Sequence, residues 1–152
     1  KCAAYAKSIG TVHSWGGTKN VTFSLNEDGK TVSVYSIFDN ETATKIPSSI
    51  KVNGKSYKVT SIGNLAYMGT KLKSITIPST VTSIGEGAFK GAKNLKTINI
   101  NGNIKSVGED AFQGINKKAV FKIKASAANY KKIVKRIKKA GAPKTATFKR
   151  VK

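Results

Sequence analysis

KLKSITIPSTVTSIGEGAFKGAKNLKTINI, residues Lys71 to Ile100, opens and closes on the same phrase and has neighbours built to the same plan on both sides. Ser61-Ile62-Gly63, Ser83-Ile84-Gly85 and Ser106-Val107-Gly108 are three statements of one motif, separated by 22 and then 23 residues. Ala66-Tyr67, Ala88-Phe89 and Ala111-Phe112 follow at the same spacings, and so do Gly69, Gly91 and Gly114. A period of this length belongs to stacked-repeat architectures. Within one copy, Leu72-Lys73-Ser74-Ile75-Thr76-Ile77 and Leu95-Lys96-Thr97-Ile98-Asn99-Ile100 end in the apolar–polar alternation of a half-buried strand. Pro78 has no N–H to continue a ladder, so the first of these strands should stop at Ile77. Val81, Ile84, Ala88 and Phe89 supply an inner side to the returning segment, with Gly85 and Gly91 allowing it to turn. One such coil cannot cover its own core, whereas stacked copies can.

Read from Ile77 to Ile98, the pattern I-P-S-x-V-T-S-I-G-x-x-A-F-x-G-x-x-x-L-K-x-I resembles the leucine-rich repeats of the Treponema pallidum type, the BspA-like family. The resemblance runs from about Ile46 to Ile123, and departs from the family where Gly69, Gly91 and Gly114 stand in place of a frequent cysteine. It implies a β-rich leucine-rich-repeat solenoid of about three repeats (46–76, 77–99 and 100–124). Residues 1–45 would form an N-terminal segment and β-hairpin cap, and 125–152 a C-terminal amphipathic helix cap with a basic tail. It further implies a secreted or cell-surface, non-catalytic bacterial module that binds host, matrix or other cell-surface proteins.

The flanking sequence is legible in parts. Val21, Phe23 and Leu25 alternate with polar residues, Asn26 to Gly29 is rich in turn formers, and Val32 and Val34 resume the alternation, which predicts a hairpin. A second hairpin is centred on Asn53-Gly54, a dipeptide suited to a type I′ turn; it sets Ile50 opposite Tyr57 and Val52 opposite Lys55. Beyond the third repeat, Lys118 falls where Leu95 would predict an apolar residue, a departure typical of terminal repeats. Ser126 can cap a helix whose Tyr130, Ile133, Val134 and Ile137 form one stripe, with Gly141 and Pro143 ending it.

The 152 residues suit one domain or a short solenoid, and 39% apolar composition supplies a core. No apolar run approaches the about eighteen residues of a membrane span. With neither an initiator methionine nor a signal peptide, the chain reads as a mature product or a piece of a longer protein. Cys2 has no internal disulfide partner, and Lys1 before it does not suit a lipoprotein cleavage site. A Cys2/His13 pair lacks any surrounding hydrolase motif, and Trp15 is read as packing, with stacking on sugar as the alternative.

Twenty-eight lysines and arginines against seven acids give a formal charge of +21, and no acid occurs from Ala111 to Lys152. Such an end is a solvated face or a binding surface for teichoic acid, glycosaminoglycan or nucleic acid, for which Lys131, Lys132, Lys135, Arg136, Lys138 and Lys139 are the candidates. On the outward side of the strands, Lys45, Thr76, Asn99 and Lys122 should stack at about 4.8 Å intervals, with Ser74 and Thr97 in a parallel row. That face is polar and rigid and suits recognition. No metal-ligand spacing, phosphate loop or carboxylate pair appears, no cofactor is implied, and Glu86, Glu109 and Asp110 fall on turns of the repeats.

Overall fold

The computed structural model describes residues 8–12, 21–37 and 42–152. Cys2, His13 and Trp15 lie outside them. The second and third repeats each contribute one strand to each of two sheets, the first adds a hairpin to one and a strand to the other, and the apolar side chains of both sheets meet between them in one continuous core. The five-stranded sheet contains β4 (Ala43–Lys45), β7 (Ser74–Ile77), β9 (Thr97–Ile100), β11 (Val120–Lys124) and β12 (Thr147–Val151), all parallel to their neighbours. The seven-stranded sheet runs in the order β1 (Ser8–Val12), β2 (Val21–Leu25), β3 (Thr31–Ile37), β6 (Lys55–Ile62), β8 (Ser83–Ile84) and β10 (Ser106–Val107), with β5 (Ser49–Val52) paired to β6.

Register follows the repeat. Thr44, Ile75, Ile98, Phe121 and Phe148 pair in one line across the five-stranded sheet, and Val34, Ile62, Ile84 and Val107 in one line across the other. Both lines face the core, where Val34, Ile75, Ile98 and Phe121 are fully or nearly fully buried. Strand β7 stops at Ile77 as Pro78 requires, and the Pro78 carbonyl instead accepts the Val81 N–H at 3.2 Å.

Between the sheets, the Ala-aromatic motifs form tight turns stacked coil on coil. Alternate N–H groups donate three residues back within the turn, as Ala88 does to Gly85, or forward to the next coil, as Phe89 does to Ala111 at 2.8 Å. Every second amide thereby ties adjacent repeats together. The aromatic rings pile up in step: Tyr67 on Phe89 at 5.1 Å, Phe89 on Phe112 at 5.3 Å, then edge-on to Phe121, which stacks on Phe148 at 5.0 Å. Such pairs add to the transfer energy of burying the rings.

The Tyr67 hydroxyl at the head of this pile is buried and has no hydrogen-bond partner among the described residues, and burial pushes its pKa far above the ordinary phenol value. A buried hydroxyl left unpaired costs about 1–3 kcal/mol. Tyr67→Phe, which copies Phe89 and Phe112, should therefore raise stability by about 1 kcal/mol in a urea titration. A loss of stability would mean that the hydroxyl is satisfied after all.

Both hairpins form: the second has the pairings read from the sequence, Ile50 opposite Tyr57 and Val52 opposite Lys55, and the first sets Leu25 opposite Val32. Asn53 and Gly54 both take positive φ, the requirement of the type I′ turn. The first hairpin is fastened to the repeats by a polar chain. Asp28 accepts from the Thr31 hydroxyl and from the Lys30 and Thr31 amides, bonds that hold its carboxyl below the usual pKa. Asn26 then reaches both Thr31 and Thr60, and Ser33 bonds Asn26 and Ser61.

Three features differ from the sequence reading. Gly85 does not serve to turn the chain but to allow close approach: a Cβ there would sit 2.6 Å from the Asn64 nitrogen, whereas Gly91 has φ +72° and nothing nearer to such a Cβ than the Gly69 backbone at 4.0 Å. Ala119, not Lys118, is fully buried at the close of the third repeat, and its N–H donates to Asn116 as that of Leu95 does to Ala92. The residues read as a basic tail include β12, a fifth parallel strand that lays Phe148 over Phe121.

Helix α1 (Ala127–Lys139) follows β11 and packs against β10 and β12. Ser126 caps it by accepting the Asn129 N–H. Its end is a Schellman arrangement, with the Ala142 N–H donating to Ile137 and the Gly141 N–H to Lys138. Ile133 and Ile137 are buried, and the Ala140 carbonyl accepts from Phe112, so the helix end takes the bond that another repeat would supply.

A candidate recognition face on the five-stranded sheet

Because strand side chains alternate, the residues between the buried isoleucines all point outward from the five-stranded sheet. The pairing places Lys45 beside Thr76, Thr76 beside Asn99, Asn99 beside Lys122 and Lys122 beside Lys149, one row across all five strands. Ser74 and Thr97 lie in a second row that begins at Ala43 and continues to Val120 and Thr147. Parallel pairing in register spaces these side chains at about 4.8 Å. Within the first row the Asn99 amide donates to the Thr76 hydroxyl at 3.3 Å, which orients both groups. Beside it, Thr76, Asn99, Asn101, Lys122, Lys124 and Val151 line a shallow depression of about 240 Å³.

Lys149 was not among the residues singled out in the sequence, because its place in the row depends on β12. The signal was present in Thr147-Phe148-Lys149-Arg150-Val151, which alternates weakly and is masked by its charge. The row is neutral and hydrogen-bonding at its middle, with ammonium groups at both ends. Hydroxyl, amide and ammonium groups on a rigid sheet can hold a complementary polar surface. Among the described residues no three histidine, cysteine, aspartate or glutamate side chains gather to hold a metal. No helix among them is long and apolar enough to cross a membrane.

The six basic residues singled out on α1 do not converge. Lys131, Lys132 and Lys135 are exposed on the helix back. Arg136 is half-buried and donates to the Ile104 carbonyl at 3.2 Å, and with Lys139 it borders a groove of about 580 Å³ beside β10. The Lys138 ammonium lies over the Phe148 ring, 5.5 Å from its centroid, on the opposite side. Of the three acids placed on turns, Glu86 and Glu109 are exposed, while Asp110 is half-buried and pairs with Lys90 at 2.9 Å.

A leucine rich cell surface protein from Faecalibacterium prausnitzii A2-165 is similar in structure, with a TM-score of 0.62 and 29% identity over 72% of this chain. The match spans only 29% of that protein's length. A leucine-rich repeat protein from Bacteroides capillosus ATCC 29799 is similar over 85% of this chain and 94% of its own, at 24% identity and a TM-score of 0.61. One from Bacteroides ovatus ATCC 8483 is similar over 88% of this chain and 36% of its own, at 24% identity and a TM-score of 0.56. The two Bacteroides likenesses establish a leucine-rich-repeat fold. No curated protein matches the chain. The family model described as BspA type leucine rich repeat region (6 copies) matches residues 60–135, the stretch that carries the stacked turns, the aromatic pile from Tyr67 to Phe121 and most of α1. This chain belongs to the BspA-type leucine-rich-repeat family.

Proposed function

We propose that the protein is a non-catalytic recognition module, a short solenoid whose N-terminal hairpins and C-terminal helix cover its two ends. Its five-stranded face binds a protein partner outside the cell, whether a host, matrix or other cell-surface protein. The carrying observation is the outward row from Lys45 to Lys149, which crosses every strand of that sheet. Its middle members are held by backbone pairing on both sides, so little side-chain or loop entropy is lost on binding. Family membership and the likeness to a cell-surface protein support the reading.

The test is a screen of immobilised matrix and cell-surface proteins, followed by titration of any binder. Thr76→Trp with Asn99→Trp should weaken that binder by tenfold or more, about 1.4 kcal/mol, because the bulk lifts the partner off the centre of the face. Thermal unfolding near the parent temperature would show that the fold survives. Full affinity in the double variant would remove the five-stranded face from the interface.

A further inference from the structure

The turns leading into β9 and β11 enclose a groove of about 600 Å³, lined by Lys93, Lys96, Lys117 and Lys118 over a floor of Gly114, Ile115 and Asn116. All four lysines are exposed, and no carboxylate lines the groove. Among the described residues the one ion pair is Lys90 with Asp110, so none of the four is neutralised there. Asn116 bridges the two lysine-bearing turns: its side-chain amide donates to the Lys93 carbonyl at 3.1 Å, and its carbonyl oxygen accepts the Lys118 N–H at 2.9 Å. The Thr145 hydroxyl donates to the Lys117 carbonyl, anchoring the second turn to the segment before β12.

Four ammonium groups held about one groove repel one another, and an anionic ligand would remove that repulsion. The basic residues of α1, by contrast, are spread around a helix. The Lys96 N–H donates to the Lys73 carbonyl at 2.9 Å, so the cationic line continues across the stack by one strand spacing. A ligand with anionic groups at regular intervals along an extended chain fits this line.

We infer that the groove is a binding site for a sulfated polysaccharide, whose sulfates meet Lys93, Lys96, Lys117 and Lys118 as the chain crosses the approach ends of the strands. An extended pyranose chain advances by about one strand spacing per sugar. Single-stranded nucleic acid fits less well, because no aromatic ring lines the groove to stack a base. The site uses none of the residues of the strand-face reading, so either can fail without the other.

The experiment titrates the full chain with a defined heparin oligosaccharide by calorimetry, at low and physiological ionic strength. Replacing Lys93, Lys96, Lys117 and Lys118 together by glutamine should weaken binding by about tenfold or more. The same change at Lys131, Lys132, Lys135 and Lys139, equal in charge, should cost less than about threefold. Equal losses in the two variants would reduce the interaction to net charge and overturn the site. Tighter binding of single-stranded DNA of matched charge would overturn the choice of ligand. Should the groove variant not fold, Asn116→Ala decides alone: it keeps every charge but unties the two turns, and unchanged heparin affinity would sink the proposal.

Discussion

Gly108→Ala is expected to destabilise the protein by about 3 kcal/mol and to lower its melting temperature by roughly 10 °C. The added Cβ would lie 2.3 Å from the Glu86 nitrogen, 2.6 Å from the Glu86 Cα and 2.6 Å from the Gly85 carbonyl carbon. All three are backbone atoms of the preceding coil, so no side chain can swing aside. Nor can the coils part freely, because the Gly108 N–H donates to the Ile84 carbonyl at 2.8 Å and the Gly87 N–H to the Glu109 carbonyl at 2.9 Å. The informative control is Gly114→Ala. There the conformation is left-handed at φ +72°, but the nearest atoms to a new Cβ stand at 3.4 Å. Its cost should be that of the backbone alone, about 1 kcal/mol. Thermal unfolding of the two variants separates contact from conformation; equal losses would mean that both glycines serve backbone geometry only.

Phe89→Ala is expected to cost about 4 kcal/mol, the range for deleting a fully buried aromatic side chain. Phe89 is wholly buried and stacks on a ring from each neighbouring repeat. Its removal therefore opens a cavity and cuts the pile at the same time. Phe148, half-buried at the far end of the pile, contacts one ring in it, and Phe148→Ala should cost less than half as much. Urea unfolding monitored by far-UV dichroism measures both. A Phe89 variant no weaker than the Phe148 variant would show that the stacked rings do not couple the repeats.

These two positions also mark how far the sequence could be read. Phe89 is legible as core, since its class and spacing recur at Tyr67 and Phe112 and an inner position must be filled in every coil. Gly108 is legible only as a recurring glycine. A period cannot distinguish a glycine required by a positive φ from one required by a neighbouring backbone, because the second cause lies in another coil. The same holds on the candidate face. Lys45, Thr76, Asn99 and Lys122 could be placed in one row from strand alternation and repeat length, whereas Lys149 could not: it belongs to no repeat and joins the row only through the pairing of β12 with β11.

Local patterning thus specified the repeat, the register of the second hairpin, the stripe of α1 and the polar row, because each follows from a burial rule that acts over a few residues. Tertiary structure alone decided that Ala119 fills the place expected of Lys118, that the Ala140 carbonyl receives the Phe112 amide, and that Lys93, Lys96, Lys117 and Lys118 surround one groove. Those outcomes depend on which coil lies against which, and neighbours 20 or more residues apart in the chain leave no periodic mark where the repeat ends.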